Sequence, residues 1–215
     1  LTPKPVSRRD NSLFLFCAVV GGLIFAILAM SVWASFVTRW PYNLSLTLKN
    51  YNFGDFGSNG WSAYTNSIQL ATWTAVIGTV IIFVGAYLLE KTRSFAMGRA
   101  IAQFMAMLPM AVPGLVLGLA YIFFFNAKGN PLGFIYATMA ILVVNSITHF
   151  YTVSHLTATT ALKQLDHEFE AVSASLKVSL LRTMTRVSVP VCLPAVLDIG
   201  IYLFVNAMTT VSAVI

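Results

Sequence analysis

From Leu13 to Val37 the chain carries no charged side chain, and this stretch limits the possible folds more than any other feature of the sequence. A helix needs about 20 mainly apolar residues to cross the hydrocarbon of a bilayer, where every backbone amide must find its partner inside the protein. Further stretches meet the same requirement at Ser67–Leu89, Ile101–Phe125, Leu132–Tyr151 and Val191–Ile215. The expected fold is therefore all-α, a polytopic transmembrane helix bundle with about five spans, and residues 1–215 read as a single membrane domain. Composition agrees: 58% of the residues are hydrophobic and 9% are charged, whereas soluble domains carry about 25% charged residues.

The connections set the orientation. Thr38–Tyr64 holds Trp40, Tyr42, Tyr51 and Trp61 among Asn and Gly and reads as an extramembrane loop with aromatics at the interface. Asn126–Pro131 is a tight turn, and Ser154–Val189 is long and polar with a helical pattern. With the N-terminus in the cytoplasm, Lys4, Arg8, Arg9, Lys91, Arg93, Arg99, Lys163, Lys177, Arg182 and Arg186 lie inside and only Arg39, Lys49 and Lys128 outside. That asymmetry obeys the positive-inside rule. The same clustering argues against nucleic-acid binding despite a net charge of +6, because the cations lie between apolar runs and not along one face. Cys17 and Cys192 have no paired spacing, which points to neither a disulfide nor a metal site. The first apolar run is too long for a cleaved signal and is expected to remain as an anchor. A start at Leu1 and a stop at Ile215 inside an apolar run suggest a piece of a longer protein.

The most informative segment lies at about 157–190. Phe169, Val172 and Leu176 recur at spacings of three and four, giving one apolar stripe. Asp166, Glu168 and Glu170 crowd the first turns, where a helix favours negative charge. Arg182 and Arg186 are one turn apart, and Pro190 is expected to end the segment and begin the next span. The pattern predicts a short amphipathic helix, a bend, and a second helix entering the membrane.

Glu170-Ala171, Ser175-Leu176, Arg182-Thr183, Arg186-Val187-Ser188-Val189-Pro190 and Leu193-Pro194-Ala195 resemble the EAA signature of binding-protein-dependent ABC-importer permeases. Lys177 stands where that signature has Gly, and Glu170-Ala171 sits one residue early. The resemblance implies a type I permease fold in the bacterial inner membrane, with a coupling helix that docks on a cytoplasmic ATPase. Its residues would be Glu170, Ala171, Ser175, Leu176, Lys177, Arg182, Arg186 and Pro190. Loss of the Gly is expected to alter the bend after the helix. The resemblance also implies a second permease half, identical, paralogous or fused, and an extracytoplasmic solute-binding protein. Leu108-Pro109-Met110-Ala111-Val112-Pro113-Gly114 with Leu117-Gly118 is similar to a segment of the iron(III), thiamine, sulfate and phosphonate branch. Phe123–Asn126, Phe169–Lys177 and Val205–Ser212 look like the 2-aminoethylphosphonate permeases of that branch. The implied solute is 2-aminoethylphosphonate or a related small anion or zwitterion; iron(III) or another small anion is the alternative.

Polar groups within the apolar runs are candidate pathway residues. Two prolines four residues apart, Pro109 and Pro113, with Gly114, cannot all sit in an undisturbed helix. Asp198 lies eight residues past Pro190, about 12 Å into the membrane at 1.5 Å per residue. A carboxylate there costs about 2.5–3.5 kcal/mol on insertion scales and must face the bundle or a cavity. Asn206 and Thr209 continue the same helix, and Asn145, Ser146 and His149 form a polar patch on the fourth span. Each could instead act as interhelical glue. Gly78, Gly85, Gly21 and Gly22 permit close helix packing. No metal site, cofactor or catalytic constellation is indicated, and no Gly-x4-Gly-Lys-Ser/Thr string is present, so ATP would be handled by a separate chain. An ion-coupled secondary transporter using Asp198 and an integral-membrane enzyme are the rival classes.

Overall fold

The computed structural model describes residues 7–52, 54, 60–92 and 96–210. Its contacts group into two compact units, 1–63 and 64–215. The first holds helix α1 (Ser7–Ser35), a β-hairpin of β1 (Val37–Arg39) and β2 (Asn43–Leu46), and a 3-10 turn at Lys49–Tyr51. Arg8–Ser35 is long and apolar enough to span a membrane, and the Leu, Ile, Phe and Val side chains along it are exposed. The hairpin pairs Val37 with Leu46 and Arg39 with Asn43. It is a departure from the purely helical expectation, where this stretch reads as loop. The Asn50 amide ties it to the helix end by donating to the Ser35 and Val37 carbonyls at 3.0 and 2.8 Å. Trp33 meets Trp40 edge to face at 5.3 Å.

The second unit is built around α2 (Gly60–Lys91), the other single helix long enough to span. Leu70, Ile82, Phe83, Ala86 and Tyr87 of α2 meet Val143 and Ile147 of α5 (Met139–His149), Ala158 and Leu162 of α6 (Tyr151–Lys163), and Ile199 and Leu203 of α10 (Leu193–Thr209) in one buried core. Gly78 makes the closest approach: a Cβ there would lie 2.8 Å from Leu203 Cδ1 and 3.2 Å from Ile147 Cγ1. A Cβ on Gly85 would lie 3.1 Å from the Tyr151 hydroxyl. Gly21 and Gly22 differ from that expectation, since nothing stands within 4 Å of either position.

Three expected spans are broken, each for a local reason. Ile101–Phe125 divides into α3 (Ala96–Ala111) and α4 (Gly114–Phe125), bent by 111°. Val112 precedes a proline and is driven out of the helical region, while Pro113 itself is extended at φ −57°, ψ 138°. The expected span Leu132–Tyr151 is largely irregular before α5, whose 11 residues cover only about 16 Å. The helical path continues beyond a break at Phe150 into α6, in keeping with the helical pattern of residues 154–163. Thr152, Ser154, His155, Ala158, Thr159 and Leu162 of α6 are buried, and the Thr152 hydroxyl donates to the Ala106 carbonyl of α3 at 2.8 Å. Hydropathy misses this helix because its packed face is made of small polar residues.

The last span is preceded by α8 (Leu180–Thr183), a π turn at Met184–Ser188 and α9 (Val189–Val191), and it bends by 80° before α10. Pro190 therefore lies inside the approach helix, not at the start of the span. It offers no N–H to the Arg186 carbonyl and crowds it, and a π turn lies at that point in the chain. Pro194 likewise has no N–H for the Pro190 carbonyl, and the break falls between them at Cys192, φ −86°, ψ 11°. Residues 211–215, the expected end of this span, lie outside the described residues, as do Lys4 and Arg93. By length and composition the described residues hold two spans, or up to four if each bent pair counts as one, beside the shorter apolar helix Met139–His149.

Candidate functional site

Helix α7 (His167–Ser175) is the amphipathic helix expected from the spacing. Asp166 starts it: its carboxylate accepts from the Glu168 amide at 3.0 Å and its carbonyl from the Phe169 amide at 3.2 Å. This is the side-chain capping that an Asp supplies to orphan amides of a first turn. The Ser175 hydroxyl donates back to the Ala171 carbonyl at 2.9 Å. Glu170 lies on α7; its side chain is outside the described residues.

The end of α7 turns at Lys177. Its φ is +52°, the left-handed conformation that Gly adopts freely, so Lys177 itself forms the bend after the helix. The Val178 amide donates to the Ser173 carbonyl at 3.0 Å, which is the six-to-one bond of a Schellman cap with Lys177 at its left-handed position. A non-glycine residue in that conformation carries strain of about 1–2 kcal/mol.

The chain then doubles back, so that α7 and the α8–π segment wall a groove of about 520 Å³. Phe169, Val172 and Leu176 line it from α7, Arg182 and Arg186 from the opposite wall. These apolar side chains are not sealed: Phe169 is 47%, Val172 56% and Leu176 69% exposed. Covering a side chain of this size is worth about 1.5–3 kcal/mol. Both arginines are exposed, and no ion pair or hydrogen bond among the described residues uses their guanidinium groups. The wall opposite α7 is tied to the bundle by the Tyr87 hydroxyl, which donates to the Leu180 carbonyl at 3.4 Å, and α2 is tied to α6 by the Lys91 ammonium, which donates to the Leu162 carbonyl at 3.4 Å. Pro190 lies in α9, ahead of the entry to α10.

The candidate pathway residues are scattered. Pro109, Pro113 and Gly114 mark the α3–α4 bend. Asn145 is buried on α5 at 4% exposure. Asp198 is exposed on α10, on the side that also presents Leu197, Ile201 and Val205. An exposed carboxylate among exposed apolar side chains of a span needs water or another polypeptide beside it in a bilayer. Asn206 and Thr209 turn onto their own helix, donating to the Tyr202 carbonyl at 2.7 Å and the Val205 carbonyl at 2.9 Å. None of the three described cavities is lined by any of these seven residues. Among the described residues no cluster of His, Cys, Asp and Glu could hold a metal ion.

No family profile matches the chain. It is 35% identical over 186 residues to a ferric transport system permease protein of Haemophilus influenzae, covering 85% of this chain and 29% of that protein. It is 33% identical over 194 residues to the ferric transport system permease protein FbpB of Actinobacillus pleuropneumoniae, covering 89% of this chain and 28% of that protein. A sulfate transport system permease protein of Helicosporidium sp. subsp. Simulium jonesii is 33% identical over 146 residues, 64% of this chain and 53% of that protein. The chain spans less than a third of the length of the ferric relatives it matches. All three relatives are named as permeases of transport systems, in agreement with the resemblance carried by 170–195 and with a mostly helical, membrane-inserted chain.

Proposed function

We propose that this chain is the transmembrane permease part of an ATP-driven, binding-protein-dependent importer of the bacterial inner membrane, with ATP hydrolysed on a separate subunit. The observation that carries the reading is the open apolar groove of α7, which joins an exposed Phe169–Val172–Leu176 edge to the Arg182 and Arg186 side chains. A water-exposed stripe of this kind on a capped helix is suited to entering a groove of a partner. Closure of the ATPases would press on α7, and the bonds from α2 to α8 and α6 would carry that displacement to the spans. The second permease half would cover the outward side of α10 and the solute-binding protein would deliver cargo from the opposite face.

For the cargo, the names of the relatives favour an iron(III) system over 2-aminoethylphosphonate. Asp198 supports either, since a carboxylate suits a cation or an ammonium group.

The experiment replaces Phe169 and Val172 by Asp in the full protein, co-expressed with its cognate ATPase once that subunit has been identified by co-purification. The expected result is loss of ATPase from the purified complex and loss of uptake, with the permease still inserted and folded. Unchanged ATPase retention and uptake would refute the docking role. Uptake of iron(III) against 2-aminoethylphosphonate by the unaltered system decides the cargo.

A further inference from the structure

A second cavity, of about 500 Å³, opens where the end of α2, the start of α3 and the end of α6 converge, and the transport reading makes no use of it. Glu90, Arg99, Gln103, Thr159 and Lys163 line it beside Leu89. Glu90 and Arg99 are half-buried, Lys163 and Gln103 exposed. No ion pair among the described residues joins Glu90 to Arg99 or Lys163. Two cations and one carboxylate therefore share a cavity without a direct ion pair between them, and the Thr159 hydroxyl donates to the Leu156 carbonyl at 3.1 Å. The complementary ligand carries a phosphate for the cations and an ammonium for the carboxylate.

The surroundings say where such a ligand comes from. Glu90 is next to last in α2, Arg99 lies in the first turn of α3 and Lys163 ends α6. Glu90 and Arg99 sit at the ends of apolar segments and Lys163 at the end of α6, on the side that the Lys and Arg distribution places in the cytoplasm. Next to the cavity, Leu88 on α2 and Met97, Ile101 and Phe104 on α3 are exposed large apolar side chains. A soluble phosphate would have no use for that apolar border, whereas acyl chains would. Basic pockets between helices at the cytoplasmic face suit phospholipid headgroups.

We propose that this cavity binds the phosphoethanolamine headgroup of a membrane phospholipid, with its phosphate at Arg99 and Lys163, its ammonium at Glu90, and its acyl chains along α3. The site depends on the membrane placement of the chain and not on its cargo or its ATPase, so its test is independent of transport. The full protein in dodecylmaltoside is titrated with phosphatidylethanolamine, phosphatidylglycerol or soluble O-phosphoethanolamine, reading thermal stabilisation and the lipid retained in native mass spectrometry. Arg99→Gln and Lys163→Gln should each weaken phosphatidylethanolamine binding about fivefold, while Lys128→Gln leaves it unchanged. Glu90→Gln should abolish the preference for phosphatidylethanolamine over phosphatidylglycerol. Arg99→Lys and Lys163→Arg should retain binding, which keeps the test decisive where a neutral variant folds poorly. Equal retention by the Arg99→Gln/Lys163→Gln double variant, or loss in the charge-conserving variants, would overturn the site. Saturation by O-phosphoethanolamine at the lipid's own concentration would overturn its assignment to a membrane lipid.

Discussion

Replacing Lys177 by Gly should strengthen the end of α7. The left-handed φ of +52° costs a non-glycine residue about 1–2 kcal/mol. Glycine removes that strain but makes the unfolded segment looser, giving back about 0.4–1 kcal/mol. The difference is a net gain of about 0.5–1 kcal/mol, local to the cap. The Val178 amide reports it directly, because its bond to the Ser173 carbonyl must open before the proton exchanges. Hydrogen exchange under conditions where opening is at equilibrium should slow about two- to fivefold at Val178 in Lys177→Gly. Lys177→Ala is the control: it deletes the ammonium but keeps the Cβ, so protection should not rise. Equal slowing in the Ala and Gly variants would show that charge removal, not backbone strain, governs the cap, and faster exchange in Lys177→Gly would refute the argument outright.

Further expected outcomes rest on the packing. Ala137 also has a left-handed φ, +60°, so Ala137→Gly should stabilise the turn before α5 by about 0.5–1 kcal/mol, read as a small rise in Tm. Gly78→Val would drive a branched side chain against buried Leu203 and Ile147 and should cost about 1–3 kcal/mol, with a clear fall in Tm. Gly21→Ala, with open space around it, should leave Tm unchanged or slightly raised. Thr152→Val removes the bond to Ala106 at nearly constant shape and should cost about 0.6 kcal/mol, seen as a slight loss of thermal stability without loss of insertion.

The amphipathic helix, its apolar edge and the two arginines were legible in residues 166–190, because helical spacing and charge placement are local properties. Its open groove was not, since which wall faces Phe169 depends on how the chain turns after Lys177. Residue type alone did not show that Lys177 would take the left-handed position, which excludes most side chains only weakly, at a cost the rest of the motif can absorb. The cavity at Glu90, Arg99 and Lys163 was invisible because its residues are up to 73 positions apart and, in sequence, signal only membrane orientation.

The apolar runs by themselves determined that the chain is helical and lives in a bilayer, because burial of some 20 uncharged residues admits few other solutions. Prolines marked where those helices would be disturbed. Only the tertiary structure decided what each disturbance became. At Pro113 it is a 111° turn, at Pro190 it coincides with a π turn inside a continuing helix, and the polar helix of 152–163 is packed and buried along one face. Hydropathy records the solvent a side chain prefers. Whether a Thr, Ser or His meets water or another helix is settled by small side chains that let backbones approach, and that is a property of pairs of helices, not of either sequence alone.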